Sequence, residues 1–126
     1  MIDLMEYMKE LISLPGLSAY EDPVREVIQE KWKPLVDEIS TSRIGSLHGL
    51  RKGYAGEPRK RILLAGHMDA VGLMVTGVKD GFLRFTEIGG VDYRILPGQM
   101  VIVHGKEDLP GVIIQPSARL LPPELS

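Results

Sequence analysis

Apolar side chains at Leu4, Met5, Met8, Leu11 and Ile12 recur every three to four positions, the period that aligns one face of an α-helix. Pro15-Gly16 stops the pattern. Ser18 and Glu21 then have the spacing of a capping box, in which each side chain satisfies an unpaired amide at the start of a second helix. Pro23 is tolerated in that first turn, and Val24, Val27, Ile28 and Trp32 continue a buried stripe that ends near Lys33, before Pro34.

The period changes after Val36. Residues 38–41 and 46–50, joined through Arg43-Ile44-Gly45, predict a β-hairpin, and a loop covers residues 51–60. Ile62-Leu63-Leu64-Ala65-Gly66 is a continuous apolar run, the pattern of a strand buried on both faces in the centre of a sheet. Residues 71–78 and 82–88, around the turn Lys79-Asp80-Gly81, predict a second hairpin that Gly89-Gly90 breaks. Residues 99–104 and 111–115, around Lys106-Glu107-Asp108, add two further strands, and such a run of short strands suggests a small barrel. Two helices with a few strands, followed by strands alone, predict two structural units, residues 1–69 and 70–126.

Composition narrows the function classes. With 126 residues, 44% apolar and 25% charged, the chain has the make-up of an ordinary globular protein with length for one domain, which argues against disorder. Seventeen acidic against fifteen basic side chains give a net charge of -2, so no overall field favours nucleic acid or an anionic membrane as partner. Arg51, Lys52, Arg59, Lys60 and Arg61 cluster, but with Tyr54 as their one aromatic they read as a solvated hairpin end. The absence of cysteine removes disulfides, thiol catalysis and thiolate-bound zinc, so any metal site must use His, Asp and Glu. Acidic residues at the start, where a secretory signal would be basic, and the lack of an apolar run near membrane-spanning length predict a cytoplasmic location.

His67-Met68-Asp69, at the carboxyl end of the apolar run, is the constellation with a mechanism attached. Alternate residues of an extended segment point the same way, so the two side chains can meet. The carboxylate would fix the imidazole's tautomer and leave its other nitrogen for a metal. The spacing alone fits a structural histidine equally well. His48 and His104 read as structural or solvent-facing, and Glu87 and Asp92, flanking Gly89-Gly90, as turn residues rather than an acid/base pair. No nucleophile elbow and no phosphate-binding glycine loop appears.

Residues 63–75, Leu-Leu-Ala-Gly-His-Met-Asp-Ala-Val-Gly-Leu-Met-Val, resemble the dinuclear metallo-aminopeptidases of the glutamyl, deblocking and tetrahedral type, some of which are labelled endoglucanase or cellulase. The likeness continues in order through Leu14-Pro15-Gly16-Leu17-Ser18 with Glu21, then Gly81-Phe82-Leu83-Arg84-Phe85, Ile88-Gly89-Gly90, Leu96-Pro97-Gly98-Gln99 and Gly111-Val112-Ile113. It implies an α/β fold class: part of a zinc-peptidase-like catalytic domain, then part of an inserted small β-barrel, PDZ-like, through which subunits associate. It implies that His67 ligates one of two divalent metals, zinc or cobalt, and that Asp69 takes part in catalysis as the carboxylate holding that ring. The substrate would be a peptide and the intact enzyme a homo-oligomer. The family's general base, bridging Asp, other acidic ligands and second His have no counterpart here, so the chain by itself is expected to be inactive and to bind no metal stably.

Three departures stand out. Gly45-Ser46-Leu47 replaces a usual Gly-Asn-Leu, Ser42 stands where an acid is common, and residues 116–121 replace a Pro-Pro-His-Leu-like segment. Glycoside cleavage has no support, because six per cent aromatic content hardly supplies sugar-stacking rings. The rival expectation is a non-enzymatic oligomerisation or regulatory module derived from the same family, associating through unpaired strand edges.

Overall fold

A computed structural model describes residues 3–116. The chain divides into two compact units, Met1–Gly89 and Gly90–Ser126. The replaced segment at residues 117–121 lies outside the described residues.

In the first unit, helix α1 spans Leu4–Ile12 and is capped by Asp3, whose Oδ1 accepts the amides of Met5 and Glu6. Its apolar residues do share a face, yet Leu4, Met5, Met8 and Ile12 remain exposed. Helix α2 spans Asp22–Trp32 and starts later than the capping-box reading requires. Glu21 is its N-cap without a side-chain cap bond. Glu21 Oε1 instead accepts the amide of Ala19, and Ala19, at φ 73°, turns the chain into the helix. Val24 is the buried centre of α2 at 5% exposure, with Val27, Ile28 and Trp32 half-buried along the expected stripe.

Strands β1, Glu38–Thr41, and β2, Leu47–Leu50, pair antiparallel with Ser40 opposite His48. Trp32 packs over Gly49, where any added Cβ would meet the indole at 2.9 Å, so α2 can lie on this hairpin because position 49 has no side chain. Ser42 organises the connecting turn: its Oγ accepts the amide of Ser46, and its own amide donates to the Ser46 carbonyl. A short hydroxyl makes the same kind of turn bond that a short acid would. In the basic stretch, Lys52 pairs with Glu38 at 2.6 Å and Arg59 with Glu57 at 3.2 Å.

Strands β3, Gly72–Lys79, and β4, Phe82–Ile88, form the predicted second hairpin. Asp80 and Gly81 both have positive φ, 52° and 81°, as a two-residue turn matched to strand twist requires. A bulge separates Val75 from Gly77 in the pairing. Glu87 is a strand residue opposite Leu73, not a turn residue.

The buried strand expected at residues 62–66 does not form. This stretch has no strand pairing, and Ile62, Leu63 and Leu64 are 87%, 88% and 90% exposed. A central strand exists through hydrogen bonds to neighbours on both sides, and no described strand pairs with this stretch. The apolar composition is present without the partners that would bury it.

In the second unit, a 3-10 turn at Tyr93–Ile95 is capped by Asp92, and strands β5, Met100–Val103, and β6, Leu109–Val112, pair antiparallel. Pairing extends past the strand ends, with Ile113 donating to Gln99 at 2.9 Å and Gly98 to Ile113 at 2.8 Å. Ile113, 7% exposed, is the buried residue among those described in this unit. Among the described residues the strands pair as three separate two-stranded sheets in a mixed helix and strand chain.

Candidate functional site

The segment that ends α1 is the one that supports the stretch 67–70. The Ala70 amide donates to the Gly16 carbonyl at 2.7 Å, and Leu17 and Ala70 form a parallel bridge. Close approach is possible because Gly16 is buried against Val24, where a Cβ would meet Cγ2 at 2.8 Å.

This docking places three side chains in a line. Ser18 Oγ donates to Asp69 Oδ2 at 2.6 Å, and the other carboxylate oxygen of Asp69 lies 3.3 Å from His67 Nδ1. His67 Nδ1 is also 3.0 Å from the backbone carbonyl of Asp69. A carbonyl oxygen accepts and never donates, so this contact requires the hydrogen on Nδ1 and, in the neutral ring, leaves the lone pair on Nε2. Asp69 thus approaches the His67 ring twice, by its side chain and, at the shorter distance, by its main chain. The side-chain approach follows from the two-residue spacing, and the carbonyl contact does not.

His67 itself is 87% exposed, so it is not packed in an apolar core, and Asp69 is 40% exposed. The hydroxyl of Ser18 holds the Asp69 carboxyl below its ordinary range, with the Asp69 amide and the neighbouring imidazole acting in the same direction against partial desolvation. Both residues face an open groove of about 500 Å³, bordered by Glu21, Trp32, Ile44 and the backbone of Gly45 and Gly66.

The other candidates fall elsewhere. His48 is an exposed residue of β2. His104 Nδ1 lies 2.9 Å from Asp108 Oδ1, across the connection of the β5–β6 hairpin. Asp92 is bound by Arg94 through Nε and Nη2, which holds its carboxyl low and assigns it a capping task. Ser18, expected from its spacing to cap a helix, instead bonds Asp69.

Among the described residues no three His, Asp or Glu side chains gather as a metal-binding group. A hydrolytic metal centre needs about three protein ligands. Around His67 the described residues do not form such a set.

Comparison with known proteins agrees with the resemblance read from the sequence. A family model described as M42 glutamyl aminopeptidase matches residues 45–124. The lysyl aminopeptidase of Pyrococcus furiosus is 37% identical over 98 residues, 76% of this chain and 27% of that protein. The TET aminopeptidase of a marine-sediment Thaumarchaeota archaeon superposes with a TM-score of 0.82 at 35% identity, over 95% of this chain and 33% of that one. A Thermotoga maritima protein named endoglucanase superposes at 0.73 with 40% identity, over 84% of this chain and 33% of that one. The chain therefore spans about a third of the length of the relatives it matches.

Proposed function

The chain belongs to the M42 glutamyl aminopeptidase family, and from that premise we propose that it contributes the amino-terminal part of a metal-dependent enzyme releasing amino-terminal residues from peptides. His67 is the metal ligand in this reading, and Asp69 is the residue that presents it. The observation that supports it is the pair of contacts that Asp69 makes with Nδ1, which leaves Nε2 of an 87% exposed ring as the nitrogen open to a metal. A metal ion there would supply a Lewis acid and an activated water. Two such ions, zinc or cobalt, belong to the complete enzyme of this reading. Because the described residues furnish one ligand, no catalytic step is assigned to this chain alone, and we expect it to be inactive by itself.

The same proposal keeps residues 1–69 as part of an α/β catalytic domain and residues 70–126 as part of an inserted PDZ-like barrel through which copies of the complete enzyme associate. A second reading, a non-enzymatic oligomerisation module, draws on the exposure of Ile62, Leu63 and Leu64, an apolar strip that favours association.

Cobalt(II) chloride titrated into the labelled chain and followed by NMR tests the ligand assignment. Perturbation should centre on His67 and vanish in His67→Ala; an unchanged response in that variant would refute the assignment. Leucine and glutamate p-nitroanilides with added zinc or cobalt should show no turnover by the chain alone, and measured turnover would overturn the expected inactivity.

A further inference from the structure

We propose that Ser18 is a positioning residue for the His67 site, its hydroxyl locking the Asp69 carboxylate in the rotamer that faces the imidazole. The proposal rests on the reading of His67 as a ligand and adds a residue from a different part of the chain to the machinery that presents it.

Three observations support this. First, the 2.6 Å contact from Ser18 Oγ to Asp69 Oδ2 is the one side-chain hydrogen bond, among the described residues, that joins the α1–α2 connection to the stretch 67–70. A hydroxyl bonded to a carboxylate is a short, charge-assisted contact, about twice as strong as a neutral one. Second, the bond occupies Oδ2 and so leaves Oδ1 directed at His67, 3.3 Å from Nδ1. A carboxylate free to rotate about its Cα–Cβ bond would divide its time among staggered wells, most of which point it away from the ring. Third, Ser18 is itself held. The flanking Leu17–Ala70 bridge, the Tyr20 amide donating to Leu17 at 2.7 Å and the buried Gly16 fix the backbone that carries it. The hydroxyl is therefore delivered by a turn that hydrogen bonds and packing hold in place.

The division of labour follows. The Asp69 carbonyl selects the Nδ1–H tautomer, and the carboxylate, clamped by Ser18, reinforces that choice and limits rotation of an otherwise exposed ring. Removing the hydroxyl should leave the carbonyl contact in place and release the second restraint.

The test uses the metal-free chain at about pH 8, above the imidazole range. Nitrogen-15 shifts of the His67 ring report the tautomer ratio, and the α–β proton couplings of Asp69 report its rotamer. In the unaltered chain we expect an excess of Nδ1–H and one dominant Asp69 rotamer. In Ser18→Ala the ratio should move toward Nε2–H by roughly three- to tenfold, the worth of about one hydrogen bond, with averaged couplings. Ser18→Thr, which retains a hydroxyl, should restore both. Unchanged shifts and couplings in Ser18→Ala would overturn the proposal. So would averaged Asp69 couplings in the unaltered chain, a result that stands even where the alanine variant fails to fold. Neither readout involves metal, so a failure here is separate from a failure of the cobalt titration on His67→Ala, which tests the ligand assignment itself.

Discussion

Gly16 and Ala70 are joined main chain to main chain, amide to carbonyl at 2.7 Å, although α2 and the β1–β2 hairpin lie between them in sequence. The turn that ends the first helix is thereby also the support of the candidate site. Its fit depends on what Gly16 lacks, since a methyl there would press on Val24 Cγ2 at 2.8 Å.

Gly16→Ala should therefore lower the stability of the first unit by about 1 to 3 kcal/mol, the usual cost of overpacking a filled contact. Chemical denaturation measures the loss, and faster hydrogen exchange at the Ala70 amide would locate it. A variant as stable as the parent, with Ala70 equally protected, would mean that the turn accommodates the methyl and that the close contact is unimportant.

Asp69→Asn removes the charge while nearly preserving shape. We expect cobalt affinity at His67 to fall by roughly 10- to 100-fold, as for other groups that orient a ligating histidine. Perturbation of the His67 resonances during titration gives the comparison. Equal affinity would indicate that the backbone carbonyl of Asp69 suffices to orient the ring.

The Asp69 carboxyl is held below the ordinary value, chiefly by Ser18, so the folded state favours its ionised form. The resulting stabilisation is complete above the unfolded value of about 4 and disappears as pH falls through the lower folded value. Protection of the Ala70 amide should accordingly be level from neutrality to about pH 4 and weaken only below it. The carbonyl carbon shift of the Asp69 side chain gives its midpoint. A midpoint at or above that of an unstructured aspartate would contradict the bond to Ser18.

Gly81 has φ 81° in the turn between β3 and β4. Gly81→Ala should cost about 1 kcal/mol, because a Cβ is disfavoured in the left-handed region. Thermal unfolding of the variant provides the measurement, and cross-strand contacts from Val78 to Leu83 should be the first to weaken. No change in melting would argue against the described turn.

Leu63 and Leu64 are almost wholly exposed. Substituting lysine at both positions should shift the mass found by light scattering toward the monomer at high concentration, with helix content unaltered. If the parent chain is already monomeric there, the exposed strip does not drive association.

Local pattern made much of this architecture legible in advance. The three-to-four spacing from Leu4 to Ile12 became α1, and the alternation around Asp80-Gly81 became the β3–β4 hairpin, because both elements are specified by nearby residues. His67 and Asp69 were legible for the same reason, being two positions apart in an extended segment. Residues 62–66 were misread because apolar composition records a capacity for burial, whereas a strand also requires neighbours. Ser18 was misread because a hydroxyl after a proline-glycine break can serve a helix or a distant acid, and the choice depends on tertiary approach. Family membership rests on the match over residues 45–124 and on the superposition of 95% of the chain, so the missing strand leaves it intact.

The bond between Ser18 and Asp69 spans 51 positions, and that separation bears on the order in which the molecule acquires structure. Hairpins such as β1–β2 close over a few residues and form in about 1 to 10 μs, whereas distant segments must first bear the entropy of a large loop. The turn at residues 16–18 should then dock after the hairpins exist, so that the Asp69 carboxylate gains its restraint in one of the last events of folding. In refolding followed by pulsed hydrogen exchange, the Ala70 amide should become protected later than the amides of β1 and β2.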